Sequence, residues 1–234
     1  MKKILIILLI IVVSCQKDPK EYLEKNHDSL LKAYFSSDSI LADGTSLDTL
    51  TIELDKVATN REIQLSTTDG SFLFGTNSFT ISAVNVNNVI RAIALLKSTN
   101  RESNLVQVKV RAGSGNLEKT LQLRFQKAYA EKMRMQSSYT SIRNTLNNSL
   151  DFETHLMRNI GVPSLFQTVT YTATLNDSVP TGSFYFVGPG SDSTGTIRSK
   201  FILTDTIPGL LKIFSNYSTP DSELKDSLLI QITR

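Results

Sequence analysis

The sequence predicts an all-β chain folded as two consecutive β-sandwiches. Three observations carry that expectation. Apolar and polar residues alternate at period two, as in Leu50-Thr51-Ile52-Glu53-Leu54. Gly and Pro punctuate the apolar segments at short intervals, from Asp43-Gly44 to Ile207-Pro208-Gly209. Ser and Thr are abundant, and Trp is absent. About 220 residues remain once the extreme N-terminus is set aside, enough for one large domain or two of ordinary size. The formal charge of +3 loses two units with Lys2 and Lys3, and the other Lys and Arg residues are scattered. That excludes a strongly basic nucleic-acid surface.

The chain opens with a positive head, Lys2-Lys3, followed by ten unbroken apolar residues, Ile4 to Val13. As a helix such a run rises only about 15 Å, half of a bilayer core, so it is too short to span. A charged head, a short apolar stretch and a small residue at the cut make a secretory signal. Val12-Val13-Ser14-Cys15 resembles the lipobox of bacterial lipoproteins. That resemblance implies diacylglycerol on the Cys15 thiol and a mature chain beginning there. The bland alternative is an ordinary signal peptide in which Cys15 is incidental. Cys15 is the chain's single cysteine, so no internal disulfide can be drawn, and acylation removes an exposed thiol. Two or more acyl chains anchor stably where one does so marginally. Gln16-Lys17-Asp18-Pro19-Lys20-Glu21 is similar to the export signal of Bacteroidota surface lipoproteins, with Pro19 where a second acid is expected. This implies an outer-membrane anchor and favours the cell surface. Residues 1–15 are thus the signal and 16–29 a tether.

Asp18 to Tyr34 fits a helix capped by Asp18, with Leu23, His27, Leu30, Leu31 and Tyr34 at helical spacing, or a solvated tether leading into a strand. A tether or a short helix over Pro19–Asn26 is the favoured reading. Leu31, Ala33 and Phe35 then read as a first strand. Leu50, Ile52 and Leu54 form a strand with one wet face, after a turn at Asp43-Gly44. Ile63 and Leu65, Phe79 and Ile81, Ile90 to Leu96, Val106 to Val110, and Leu121 to Phe125 continue the set. Ala42-Asp43-Gly44-Thr45-Ser46, Gln64-Leu65-Ser66-Thr67-Thr68-Asp69-Gly70 and Ile90-Arg91-Ala92-Ile93-Ala94-Leu95 resemble the bacterial Ig-like (Big-1) repeats of the invasin and intimin family. The resemblance implies an Ig-like domain over residues 30–126. It departs at Lys56 to Arg61, where the family has a Gly-rich turn.

Residues 127–234 repeat the plan more loosely, as a second Ig-like sandwich. Leu150 and Phe152, Val169, Tyr171 and Ala173, Phe184 and Phe186, Ile197 to Leu203, and Leu228, Ile230 and Ile232 read as strands. Gly161-Val162-Pro163, Val179-Pro180-Thr181-Gly182 and Gly188-Pro189-Gly190 read as turns. Ile142, Leu146 and Leu150 also fit a helix, but Asn144, Asn147 and Asn148 favour turns over a helix interior. Neither half has the paired cysteines or strand Trp of antibody domains, so each core must hold by apolar burial.

Chemistry is sparse, and the expectation is a chain that is not an enzyme and carries no cofactor. His27 and His155 are the only histidines, which leaves no zinc or copper set of ordinary ligand count. His155 has Asp151 and Glu153 nearby on a strand edge, read as a solvated polar face rather than a catalytic triad. Asp192 and the run Asp221 to Asp226 could ligate calcium, but no spacing approaches a defined calcium loop, and turn chemistry is the simpler reading. Gly113-Ser114-Gly115-Asn116 lacks the lysine of a phosphate loop and reads as a hairpin turn. Tyr129, Tyr139, Tyr185 and Tyr217 could form a sugar platform, although such tyrosines more often pack against neighbours.

Eight of the 13 aspartates precede Ser or Thr, against about three expected at this Ser and Thr content. Seven continue into an aliphatic residue or Thr, placing hydroxyls at Ser29, Ser39, Thr49, Ser178, Ser193, Thr206 and Ser227. The pattern resembles the O-glycosylation signal of exported Bacteroidota proteins; the competing reading is that Asp-Ser and Asp-Thr start turns. The expected function is a non-catalytic surface lipoprotein used for adhesion, assembly or spacing. Its expected partners are the membrane, through lipid, and a protein or glycan at the cell surface. The alternative is a glycan- or ligand-binding accessory of an outer-membrane uptake complex.

Overall fold

The computed structural model describes residues 30–234 except 57, 59, 74, 114–116, 146, 180, 181 and 205. The signal, the tether and the competing helix over Pro19–Asn26 lie outside the described residues. The described chain is all-β, two Ig-like sandwiches in tandem.

The first sandwich comprises β1 (Leu31–Phe35), β2 (Ser39–Ala42), β3 (Leu47–Leu54), β4 (Glu62–Thr67), β5 (Ser71–Phe72), β6 (Ser78–Ser82), β7 (Val84–Val86), β8 (Val89–Lys97), β9 (Ser103–Ala112) and β10 (Leu117–Lys127). One sheet runs β1-β3-β8, with β5 and β7 both pairing β8; the other runs β2-β10-β9-β4-β6. The second sandwich comprises β11 (Lys132–Gln136), β12 (Ser141–Arg143), β13 (Asn148–Met157), β14 (Thr170–Leu175), β15 (Gly182–Phe186), β16 (Thr196–Leu203), β17 (Gly209–Ser218) and β18 (Glu223–Thr233). Its sheets run β11-β13-β16-β15 and β12-β18-β17-β14.

In each sandwich the opening strand is split between the sheets. β1 pairs β3 antiparallel and β2 pairs β10 parallel, just as β11 pairs β13 antiparallel and β12 pairs β18 parallel. The two crossovers are pinned differently. The Asp48 carboxylate, itself buried, accepts from the Ser36 hydroxyl, the Ser37 hydroxyl at 2.9 Å and the Ser37 amide at 3.3 Å. In the second sandwich the Ser137 hydroxyl donates to the Asp151 carbonyl at 2.9 Å.

The first core is one apolar cluster. Leu50, Ile52 and Leu54 of β3 face Ile63 and Leu65 of β4, Val106, Val108 and Val110 of β9, and Leu123 and Phe125 of β10. The second core falls into two clusters. One joins Leu150, Phe152, Phe201, Leu203, Leu211, Ile213, Ile230 and Ile232; the other joins Ala130, Leu156, Val169, Ile197 and Tyr217. Between them the inward positions are polar: Thr154 follows Phe152, Ser199 precedes Phe201, and Ser215 follows Ile213. The Tyr171 hydroxyl joins this layer, 2.9 Å from the Thr154 hydroxyl and accepting from Ser199 at 3.2 Å. Burial pushes the Tyr171 phenol up, against the pull of those two bonds.

Several expectations are refined. The first strand over Leu31, Ala33 and Phe35 is present as β1. The helical alternative through Ile142 and Leu150 is replaced by strands β12 and β13, with Asn147 in the left-handed region at φ 60°. His155 lies on β13, an interior strand and not an edge, though its outer face is polar as expected. Asp226 belongs to β18 rather than to an acidic turn, and its carboxylate accepts the Met135 amide at 2.6 Å. β17 was not expected at all: its inward series Leu211, Ile213, Ser215, Tyr217 interrupts the apolar alternation with a serine.

Candidate functional site

Two places combine polar geometry with shape: the junction between the sandwiches and a trough on the outer face of the second. The junction is built from loops at facing poles. Only residues 128–131 separate β10 from β11, and Ala128 and Ala130 are buried. The segment after β13 folds back over them. Ser164 donates its amide to the Ala128 carbonyl at 3.0 Å and its hydroxyl to the Ala42 carbonyl at 2.9 Å, and accepts the Ala128 amide at 2.8 Å. Gln167 donates to the Ala128 carbonyl at 2.7 Å and accepts from the Tyr217 hydroxyl.

Further bonds cross from one sandwich to the other. Val162 N donates to the Asp43 carbonyl at 2.9 Å, Leu165 N to the Asn100 carbonyl at 2.8 Å, and Asn100 Nδ2 to the Ser193 carbonyl at 3.2 Å. Gly161 sits at φ +71°, and a Cβ there would lie 2.6 Å from the Asp43 carbonyl, so only glycine fits without displacement. Ser164, Gln167 and Tyr217 are all almost fully buried, and a buried polar group that loses its partner costs about 1–3 kcal/mol. Side chains of this kind rigidify a contact because few alternative arrangements satisfy them.

Each pole is also set by an aspartate. Burial alone would raise the Asp43 carboxyl, but amide and hydroxyl donations from Thr45 and Ser46 outweigh it and hold the group below its ordinary 3.8. Asp192, against the same burial cost, accepts from the Thr194 hydroxyl and amide, the Thr196 amide and Arg198, and is lowered to about 2.

The trough, about 470 Å³, is lined by Gln136, Ser137, Ser138, Asp151, Glu153, Val187 and Arg198 with adjoining backbone. Strand register explains the grouping, because Gln136 pairs Glu153, Glu153 pairs Arg198 and Asp151 pairs Lys200. The charges neutralise one another: Arg198 Nε lies 3.2 Å from Glu153 and Lys200 Nζ 3.5 Å from Asp151. Tyr185 stands opposite Lys200 on the same face, and Tyr139 follows the lining serines; both are about half exposed. The surface suits a neutral polar ligand.

Thr196, His155 and Glu153 stand in the order hydroxyl, imidazole, carboxylate, with His155 Nδ1 3.0 Å from Thr196 Oγ1 and Nε2 3.5 Å from Glu153. Thr196 is only 7% exposed and shares its hydroxyl with Thr194, so it is not presented to a substrate. Among the described residues no cluster of three His, Cys, Asp or Glu could hold a metal ion. No described helix is long and apolar enough to cross a membrane.

The remaining sequence-derived residues fall as follows. Cys15 and Ser29 lie outside the described residues. Ser178, Ser193, Thr206 and Ser227 are exposed, and Ser39 and Thr49 are half-buried. Ser227 lies within a strand rather than at a strand start or loop. Several of the preceding carboxylates have structural partners: Asp48 at the first crossover, Asp192 in its loop, and Asp226 on Met135 and Ser227. Those bonds give three of the seven aspartates a structural role. Tyr217 cannot serve in a sugar platform, since it is buried in the junction, and Tyr129 is half-buried with Lys127 over its ring at 5.3 Å. The junction residues Ser164 and Gln167 were missed, because nothing in a loop sequence marks a polar side chain for burial.

No family model and no curated protein matches the sequence. The fold does match solved structures. Invasin, a bacterial integrin-binding protein, superposes with a TM-score of 0.61 at 18% identity, over 86% of this chain and 39% of invasin. The adhesin InvE of Yersinia pseudotuberculosis superposes with a TM-score of 0.52 at 11% identity, over 86% of this chain and 58% of InvE. The chain therefore spans less than two thirds of either matched structure. What is shared is the fold: consecutive Ig-like domains of the kind found in bacterial adhesins.

Proposed function

We propose that the chain is a non-catalytic lipoprotein, held in the outer membrane through Cys15, whose two Ig-like sandwiches act at the cell surface in adhesion, assembly or spacing. The observation that carries this reading is the junction. Four connecting residues, a glycine pressed against Asp43 and buried bonds from Ser164, Gln167 and Tyr217 make two domains into one stiff body. Stiffness serves a module that must hold a binding surface away from a membrane. The fold shared with invasin and InvE is consistent with that use. Its partner would be a protein or glycan outside the cell. A second reading, a ligand-binding accessory of an uptake complex, draws support from the trough lined by Gln136, Glu153 and Arg198, whose charges are paired.

The anchor is tested by Cys15→Ala in the native host. The parent chain should label with palmitate, stay in the outer-membrane fraction and be cut by protease added to intact cells. The variant should lose the label and the membrane association together. Unchanged membrane partitioning of the variant, or resistance of the parent chain until cells are broken, would contradict the proposal.

A further inference from the structure

The two sandwiches treat the same sheet edge in opposite ways. Beside β8 the first sandwich places two fragments, β5 of two residues and β7 of three. Beside β16 the second places one continuous strand, β15, of sequence Gly-Ser-Phe-Tyr-Phe, prolonged by Val187, whose amide donates to the Arg198 carbonyl at 2.9 Å. Among the described residues β15 pairs only β16, and no described strand takes its other edge. Because Val187 N points to β16, the alternation of an antiparallel ladder turns the backbone groups of Phe184 and Phe186 outward.

Open edges invite pairing and are ordinarily shielded by charge, brevity or cover. Most of the other edges among the described residues show one of those devices, β2 by its length of only four residues. β1 carries Lys32, β11 carries Lys132 and Arg134, and β12 carries Arg143. The end of β14 is covered by Ser178, which bridges to Leu175 through a turn with both Asn176 and Asp177 at positive φ. β6 has no charge, but its exposed side chains are Ser78, Thr80 and Ser82. Among the described residues β15 has neither charge nor cover, and Tyr185, Phe186 and Val187 are 53%, 48% and 63% exposed. Phe186 also stacks on Tyr171, with centroids 5.4 Å apart, so the exposed aromatic is held rigidly beside the free backbone.

We propose that β15 is a self-association edge: two copies of this chain pair their β15 strands antiparallel and join two four-stranded sheets into one of eight strands. The segment is self-complementary. With the two-fold axis at Tyr185, Phe184 of one copy faces Phe186 of the other as hydrogen-bonded pairs, using the outward backbone groups. Tyr185 faces its own counterpart at a non-hydrogen-bonded position, and Ser183 faces Val187. No charge opposes another, and aromatic cross-strand pairs are among the favourable ones. The interface is independent of whether the protein is an adhesin or an anchored lipoprotein.

The register makes a sharp test in the full-length chain carrying Cys15→Ser, which leaves no other thiol. Tyr185→Cys should give a disulfide-linked dimer on mild oxidation, because residues directly opposite at such a position have Cα atoms about 4.5 Å apart. Ser183→Cys should not, since the two copies of residue 183 would stand four residues out of register, about 13 Å apart. Without cross-linking, the molar mass should rise with concentration from 26.0 kDa toward twice that value. Tyr185→Lys, at an exposed site, should weaken association about tenfold or more while leaving the unfolding midpoint unchanged. A chain that stays monomeric at high concentration overturns the proposal, and the strand then awaits a foreign partner. Equal cross-linking at 183 and 185 overturns the register and the proposal with it.

Discussion

The first sandwich buries a continuous apolar interior, whereas the second runs a layer of hydroxyls through its own. In the first, the buried polar groups Asp43, Asp48, Thr67 and Ser98 lie at strand ends and turns. In the second, Thr154, Ser199 and Ser215 occupy inward positions in mid-strand, with the Tyr171 hydroxyl between two of them. The hydroxyls gain little by themselves, because each bond inside replaces bonds to water. What they do is fix partners, since a slip of one strand would strand a hydroxyl among apolar neighbours. One sandwich thus depends on apolar burial throughout, and the other adds polar matching across the middle of its core.

The largest effect that separates the two is expected at Tyr171. Tyr171→Phe keeps the ring and its packing on Phe152 but leaves the Thr154 and Ser199 hydroxyls short of a partner. Chemical denaturation should show a loss of about 1–3 kcal/mol. Adding Thr154→Val and Ser199→Ala should recover most of it, because replacing every partner by apolar groups of similar shape is nearly neutral. If the triple variant is instead less stable than Tyr171→Phe alone, the layer is not the matched network described.

A smaller effect, and one that contrasts the facing poles, is the response to acid. Asp192 has its folded-state value depressed from 3.8 to about 2, and Asp43 is depressed as well. A depressed carboxylate contributes stability that is full above its unfolded value and disappears as pH falls through the folded one. Stability should therefore decline as pH drops from 3.8 toward 2, and Asp192→Asn should make that decline shallower. An unchanged acid limb would remove Asp192 from the account.

Much of this fold was legible in the residues. Leu50, Ile52 and Leu54 alternate cleanly with Thr51 and Glu53 because β3 has one apolar face and one wet face, and the structure keeps that alternation. β17 escaped because its inward row includes Ser215, and period-two reading recognises only apolar insides. The split opening strands were equally hidden: β2 and β12 are short, and only pairing with β10 and β18 defines them. Asp43-Gly44 was legible as a turn, but not as the surface against which Gly161 and Val162 close. His155 and its acidic neighbours were legible as a polar face. The trough needed Arg198 and Gln136 from neighbouring strands, which no local spacing reveals.

The central claim is that the buried junction makes one stiff body of two domains. It is tested most directly by the spin-label distance between Thr120→Cys on β10 and Ser227→Cys on β18, in the full-length chain with Cys15→Ser, diluted into unlabelled chain so that only distances within one chain are read. Both sites are exposed, and each lies on a strand of a different sandwich. The account predicts a single narrow distance distribution that broadens when Gly161→Val drives a side chain into Asp43 and Thr45. A parent distribution already as broad as that of the variant would contradict it.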